Sequence, residues 1–453
     1  MSEYGAAALN LNITRDLAAF LARFTLADMP DDAVHAARRG VLDWIGCTLA
    51  GSGHPTISML VSVLAAAGGG AQATVFGRGV KLGLLDAPVA NGQMGHMLDY
   101  DDTHMAGVVL HASSPILSAL FALADRGGVT GAGLVQAYAA GFEAGVRAGQ
   151  AAPGHHKGGW HLTGTLGSIA AGAAAAKLLG LDAEQYVHAL GIAATQAAGM
   201  QQNRGTMCKS FHAGKAGSNG VLAGLLAAKG FDSSDEIIEG KKGFCRIYSD
   251  TAAPELVLDQ LGTRWEIARN GHKPYACGVV LHPAIDAMIE LGAAVTADAG
   301  AVASVALRVN SHAVTITGVK EPETGLKSKF SIYHSAAVAF LDGAAGVAQY
   351  SDERAAAPEV VALRQKVEVI TDDTLEKDQA RATLVLASGD RHEASVEHAS
   401  GTIGNPMSDD AIETKFLANA EPVIGADRAA QVRDFVWAIE TAPDVRVLTA
   451  LCA

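Results

Sequence analysis

The sequence predicts a mainly α-helical protein built as a large, discontinuous all-helical domain with a smaller inserted α/β lid domain. Three observations carry this. Helical periodicity and long alanine- and glycine-rich runs fill the chain from Ile13 to about Gly262. Near Arg264 the texture changes to short, partly alternating apolar segments separated by turn signals. After Gly404 helical periodicity returns. A chain of 453 residues is long for one core, so two domains are the ordinary expectation. The boundaries read as 1–264 for the first part of the helical domain, 265–405 for the lid, and 406–453 for its C-terminal part.

Within the first part, residues 31–50 are typical. Val34, Ala37, Val41, Trp44, Ile45 and Leu49 recur at helical spacing, acidic residues open the segment, and Gly51 follows its end. Asp182 with Gln185 forms a capping box ahead of another helix. The small-residue runs at 168–176 and 214–228 suit helices buried on most sides, and Lys177 and Lys215 argue against their crossing a membrane. In the lid, 302–309, 367–370 and 382–387 read as strands, with a turn at Ser388, Gly389 and Asp390 before a strand at 392–396. Helices are expected between them at 283–291 and 335–341. Ser408 is the expected N-cap of the first returning helix.

Hydrophobic residues make up 49% of the chain, enough for a large core without metals or disulfides. The net charge of −13 argues against a nucleic-acid or anionic-membrane partner, while a small anionic substrate stays possible because local lysines and histidines dominate at short range. The five cysteines are widely spaced with no CxxC pair, so neither a disulfide framework nor a structural zinc knuckle is indicated. The opening residues lack a basic segment followed by an apolar one, and no window is apolar enough to span a bilayer. A cytoplasmic location is the simplest expectation.

Chemistry concentrates in residues 92–115, GQMGHMLDYDDTHMAGVVLHASSP. Three carboxylates (Asp99, Asp101, Asp102) and three imidazoles (His96, His104, His111) follow an apolar, small-residue run. Buried carboxylates are costly unless paired, which makes the cluster a candidate site. The plainer reading is a polar helix end that Asp102 and Thr103 cap. Two later stretches look like partners. GGWHLTGTLG places His161 in a glycine-rich turn before a long alanine-rich helix, and GTMCKSFHAGK supplies Lys209, His212 and Lys215 before another. Asp, His and Lys are the residue types needed to move a proton at a carbon beside a carboxylate and to stabilise the resulting charge, with no redox cofactor.

Each has a plainer reading too. His161 could be a satisfied structural histidine, Lys209 and Lys215 could face solvent, His282 before Pro283 could be a helix-entry residue, and Cys277 could be packing. A metal reading draws on His155, His156 and His161 together with DYDDTH, although no H-E-x-x-H or two-cysteine spacing accompanies them. The glycines at 68–70 lack the flanking elements of a dinucleotide fingerprint.

In order along the chain, LDYDDTH, His111 with SSP, WHLTGTLGS, AAAAKLLGLD, KSFHAGKAGSNG, KPYACGVVLHPAIDA and KFSIYHSAAVAFLDG resemble the motif set of the MmgE/PrpD family, which includes 2-methylcitrate dehydratase, cis-aconitate decarboxylase and iminodisuccinate epimerase. The resemblance runs from about residue 15 to the C-terminus and implies the same discontinuous layout, with the site in a cleft between the domains. It implies catalytic roles for Asp99, His111, His161 and Lys209, and substrate-binding roles for Lys273, Tyr333, His334 and His282, with no metal or cofactor. Two positions depart from the decarboxylase branch. Gly278 stands where that branch has a histidine, and His334 where it has a tyrosine. The activity expected is therefore a hydro-lyase acting on a small di- or tricarboxylate resembling 2-methylcitrate. An epimerase, a decarboxylase and a non-catalytic carboxylate-binding protein are the alternatives. The resemblance and the alanine-rich helices together suggest a homodimer.

Overall fold

The structure is a computed structural model, which describes residues 12–104, 106–295 and 298–453. Most of the opening stretch read for a signal sequence, residues 1–11, therefore lies outside the described residues. Internal contacts group the chain into two compact units. The first comprises residues up to Met97, Asp102–Asn270 and Glu413–Ala453, and the second Leu98–Asp101 with Gly271–Ile412.

The first unit is helical. Its helices include α1 (Ile13–Arg23), α2 (Asp31–Gly51), α3 (Pro55–Ala67), α4 (Ala87–Met97), α5 (Ser113–Ala124), α6 (Gly131–Gln150), α7 (Leu162–Leu178), α8 (Ala183–Ala194), α9 (Met207–Ala227) and the short α10 (Phe244–Tyr248). At its centre α7 and α9 pack on each other, with α4, α5, α6 and α8 around them. Composition explains the arrangement. Every residue of α7 from Leu162 to Ala176 is buried, and almost all are small enough to let neighbouring backbones approach. A Cβ on Gly220 of α9 would lie 2.3 Å from the Ala171 side chain of α7, and one on Gly214 only 2.0 Å from the Val89 carbonyl oxygen of α4. Larger residues at these crossings would push the helices apart.

Several local expectations hold. The helix read at 31–50 is α2. The Asp182 carboxylate accepts from the Gln185 N–H at 2.9 Å while the Gln185 side chain accepts from the Asp182 N–H at 3.2 Å. Lys177, at the end of α7, donates to the carbonyls of Leu21, Ala22 and Phe24. It thus satisfies backbone acceptors at the end of α1. The wholly helical reading of this region needs correction. Residues Ala73–Val75 and Val80–Leu82 form an antiparallel hairpin, β1–β2. Gly77 and Gly79 make its turn at φ +64° and +60°, and the Asp125 carboxylate accepts from both the N–H and the hydroxyl of Thr74. Strands of three residues are too short to break a helical texture in the sequence.

In the second unit, β3 (Val302–Val309), β4 (Val367–Thr371), β5 (Ala380–Leu386) and β6 (Arg391–Val396) form one sheet in the order β4-β3-β5-β6. β3 and β4 are parallel, and the other pairs are antiparallel. The turn after β5 closes with Leu386 donating to Asp390, Gly389 at φ +94°. Helix α11 (His282–Ala294) packs on β5 and β6, and α12 (Ile332–Asp342) packs on α11 and β4. The strands and helices read between 283 and 396 are thus present, each end within a few residues. Ser408 accepts from Ala411 N–H at 3.1 Å at the start of α13 (Asp409–Ile424), as expected of an N-cap.

Three groupings differ from the sequence reading, two of them at the boundaries: residues 265–270, read as lid, fall in the first unit, and 406–412, read as helical domain, in the second. Residues 98–101, read as part of the helical domain, group with Gly271–Ile412. The reason is a set of bonds from that part of the chain: Lys329 donates to the Leu98 carbonyl at 2.6 Å, Lys273 donates to Asp99, and the Tyr100 hydroxyl donates to the Pro274 carbonyl.

Candidate active site

In the first unit, four imidazoles follow one another ring to ring. His111 lies 4.7 Å from His96, His96 lies 5.5 Å from His161, and His161 lies 5.1 Å from His212, measured between ring centres. Each occupies the end of an element or a loop beside one. His96 is in the last turn of α4, His161 is the N-cap residue of α7, and His212 and Lys209 share a face in the first turns of α9 at i, i+3. The Gly92–Gly214 crossing of α4 with α9 brings these ends together, since a Cβ on Gly92 would stand 2.7 Å from the Gly214 Cα. Gln93 ties the crossing by donating to the Met207 carbonyl and the Ser210 hydroxyl. The His161 N–H donates to the Gly199 carbonyl at 3.0 Å, which fixes the turn that enters α7.

A hydrogen bond sets the proton position on one of these rings and another links two of them. His111 Nδ1 stands 2.7 Å from the Asp102 carbonyl oxygen and 3.0 Å from the Thr103 hydroxyl. A carbonyl can only accept, so Nδ1 carries the proton and the lone pair of the neutral ring is on Nε2, the form a general base needs. The Nδ1 atoms of His161 and His212 are 2.9 Å apart, so one donates and the other accepts. Burial holds His161 well below the usual imidazole range, and the neighbouring charge of His96, Lys209, His111 and His212 adds to this. His212 is pushed down to about 4 by burial, with His96 and Lys209 contributing. These rings are neutral at neutral pH beside a half-buried ammonium group. Such a set can exchange protons with a bound acid and attract its carboxylate.

In the second unit, Asp99 and Lys273 are both buried and form one ion pair. Lys273 Nζ donates to Asp99 Oδ1 and to the Asp99 carbonyl, both at 3.0 Å, and to the Cys277 carbonyl at 3.2 Å. Tyr333 is nearly buried, with the Lys320 ammonium 5.7 Å from its ring centre. His334 is fully buried in α12. Its Nε2 donates to the Gln349 carbonyl at 2.8 Å, no hydrogen bond from the described residues reaches its Nδ1, and burial pushes it down to about 4. His282 opens α11 with its ring edge-on to Tyr275, 5.2 Å between centres. Burial pushes the Cys277 thiol up to about 12, which suits packing and not a nucleophile.

Other members of the charged cluster serve the scaffold. The Asp102 carboxylate accepts from the Ser113 N–H and hydroxyl at the start of α5 and from the Asn270 amide, while Thr103 bonds His111 and the N-cap position of α5 is Ala112. His104 is buried against Glu266 at 3.2 Å, in a network where Glu266 also accepts from Arg264, Arg269 and Gln150. The three imidazoles of HHKGGWH go to different partners. His155 sits among Trp160, Phe244 and Tyr248, His156 bonds Arg204, and His161 bonds His212. Lys215 is exposed.

Three residues of this geometry were given no catalytic or binding role from the sequence, although His96 and His212 lie in the stretches read as the candidate site and its partners. They are His96, His212 and Lys329. The Lys209-x-x-His212 spacing was the available signal for His212, and the apolar run that ends in His96 the signal for His96. Lys329 heads the KFSIYHS motif, and nothing in its spacing distinguishes it from a surface lysine.

Residues 15–257 match the MmgE/PrpD N-terminal domain and residues 275–441 the MmgE/PrpD C-terminal domain. The chain belongs to the MmgE/PrpD family. Among family members, cis-aconitate decarboxylase of Aspergillus terreus is 28% identical over 470 residues, covering 97% of this chain and 95% of that protein. The cis-aconitate decarboxylase-like protein oryM of Aspergillus oryzae is 27% identical, covering 97% of each. The Homo sapiens cis-aconitate decarboxylase is 24% identical, covering 97% and 94%.

Proposed function

We propose that this chain is a cofactor-independent lyase acting on a small di- or tricarboxylate. The observation that carries this reading is the run of imidazoles beside Lys209, two of which, His161 and His212, burial keeps neutral. Lys209 binds a substrate carboxylate and stabilises the charge that develops at the adjacent carbon. His111, with its lone pair on Nε2, and His161 move the protons. In the second unit Asp99, held by Lys273, has the catalytic role that the resemblance implies for it. Lys273, Tyr333 and His282 contribute to substrate binding, and His334 supports that region from its buried position.

Elimination of water from a 2-methylcitrate-like acid is the reaction we favour. Gly278 and His334 depart from the decarboxylase branch of the resemblance, which weighs against loss of carbon dioxide. Decarboxylation is the second reading, supported by the names of relatives that match along 97% of the chain. Both reactions pass through charge beside a carboxylate, so the same residues serve either. The protein is proposed to act as a cytoplasmic homodimer. The apolar helix α3, with Met59 57% and Val63 65% exposed, supports self-association.

The deciding experiment incubates the enzyme with citrate, 2-methylcitrate and cis-aconitate. Proton NMR identifies the products, and trapped carbon dioxide is measured in parallel. New alkene without carbon dioxide supports the hydro-lyase, and stoichiometric carbon dioxide from cis-aconitate supports the decarboxylase. Deuterium incorporation without net elimination points to an epimerase. Tight binding with no turnover of any acid would overturn the enzymatic reading.

A further inference from the structure

His161 and His212 share a single hydrogen bond through their two Nδ1 atoms, 2.9 Å apart. That contact requires opposite tautomers. If His161 carries its proton on Nδ1, the bare Nδ1 of His212 accepts it and His212 carries its own proton on Nε2. The two rings also differ in their access to water. His161 is buried at 7% exposure, whereas His212 is only half-buried. Gly199 permits the close fit of the second ring, since a Cβ there would lie 3.3 Å from the His212 Cγ.

We propose that His212 is the relay through which the buried ring of His161 exchanges protons with water. The inference rests on the reading that His161 transfers a proton during the reaction. When His161 Nε2 takes a proton from the substrate, its Nδ1 proton crosses to Nδ1 of His212, and His212 releases its Nε2 proton to water. Both rings end neutral with their tautomers exchanged. The reverse sequence delivers a proton to substrate. The groups facing the pair favour passage over storage. The Lys209 ammonium stands on the same helix as His212, and His96 and His111 lie beyond His161, so a cation resting on either ring is disfavoured. A buried base without such a connection would have to await solvent entry before each new turnover.

Two measurements test this. Long-range proton–nitrogen correlation spectra of enzyme labelled in its histidine ring nitrogens report the tautomers of the resting protein without any substrate. Complementary tautomers for His161 and His212 are expected. The same tautomer on both rings, or two doubly protonated rings at pH 7, overturns the relay whatever the reaction proves to be. Complementary tautomers in an enzyme that turns over no carboxylate would count against the proposed reaction instead. The second measurement uses His212→Phe, which keeps the ring volume and removes the nitrogens. It should lower kcat roughly 10²-fold with little change in KM, and added imidazole should restore the rate in a saturable way. A His212→Phe enzyme with the wild-type kcat and pH profile overturns the relay. So does a loss of kcat that imidazole and similar bases leave unrestored, which would mark His212 as structural.

Discussion

Lys273 grips Asp99 twice, donating to its carboxylate and to its backbone carbonyl, each at 3.0 Å. The double contact matters because Asp99 holds φ at +54°, a region that residues other than glycine seldom occupy. Lys329 repeats the device one residue earlier at the Leu98 carbonyl. Two ammonium groups therefore hold a short segment against its own unit through backbone oxygens, and the Asp99 side chain is oriented as a consequence.

Removing the cation alone should be severe. Lys273→Met leaves a buried carboxylate without its counter-charge and should destabilise the protein by roughly 3 kcal/mol, the scale for breaking a buried pair. Adding Asp99→Asn to that variant should recover part of the loss, because the uncompensated charge is then gone. Urea unfolding of the two single variants and the double variant gives the coupling. Additive effects would show that the pair is not coupled in the folded protein.

For the first unit, the prediction concerns rates. Lys209→Ala should depress kcat/KM by roughly 10² to 10³ on the true substrate, as expected when one charge-stabilising donor is lost. His161→Gln should lower kcat chiefly and remove one limb of the pH profile. Both variants should unfold near the wild-type denaturant midpoint. Full activity in either variant would remove that residue from the reaction.

These residues also show what can be read from a sequence. His161 and Lys209 stood out because a histidine in a glycine turn and a lysine ahead of a small-residue helix are chemically conspicuous. The long strand at 302–309 and the capping boxes follow from local periodicity and short-range hydrogen bonds, which a sequence displays directly. The hairpin β1–β2 was hidden because three-residue strands have no measurable period. The fates of His104 and Asp102 were hidden for a different reason. Their partners, Glu266 and Asn270, lie more than 150 positions away, and only the folded chain shows that a carboxylate waits for each imidazole or an amide for each acid.

A third prediction follows from His155. Burial among Trp160, Phe244 and Tyr248 pushes it down to about 4, with His156 adding to the shift, and no hydrogen bond from the described residues reaches either ring nitrogen. In the unfolded chain the same ring titrates near 6.5. Between those values the unfolded state binds the extra proton, so stability is intact above about pH 6.5 and falls as pH drops towards 4. The slope approaches ~1.4 kcal/mol per pH unit for one proton. His155→Phe removes that proton and no hydrogen bond. It should match wild type at pH 7.5 and exceed it increasingly at pH 6 and pH 5, read from urea midpoints. An unchanged difference across that range would show that His155 titrates normally.

The last prediction tests the crossing that brings the imidazoles together. A methyl group at Gly214 would sit 2.0 Å from the Val89 carbonyl oxygen and 2.8 Å from its carbonyl carbon, and backbone cannot rotate out of the way as a side chain can. Helices α4 and α9 must separate to admit it. Gly214→Ala should therefore cost roughly 1 to 3 kcal/mol despite the better helix propensity of alanine. Because His96 is one turn from Gly92 on α4 and His212 half a turn from Gly214 on α9, the same separation should loosen the ring contacts and lower kcat beyond what lost stability explains. Gly53→Ala serves as the control, since nothing among the described residues lies within 4 Å of the added carbon there. It should stay within about 0.5 kcal/mol of wild type and keep full activity. A Gly214→Ala protein as stable as the control would mean that the two helices do not meet at these glycines.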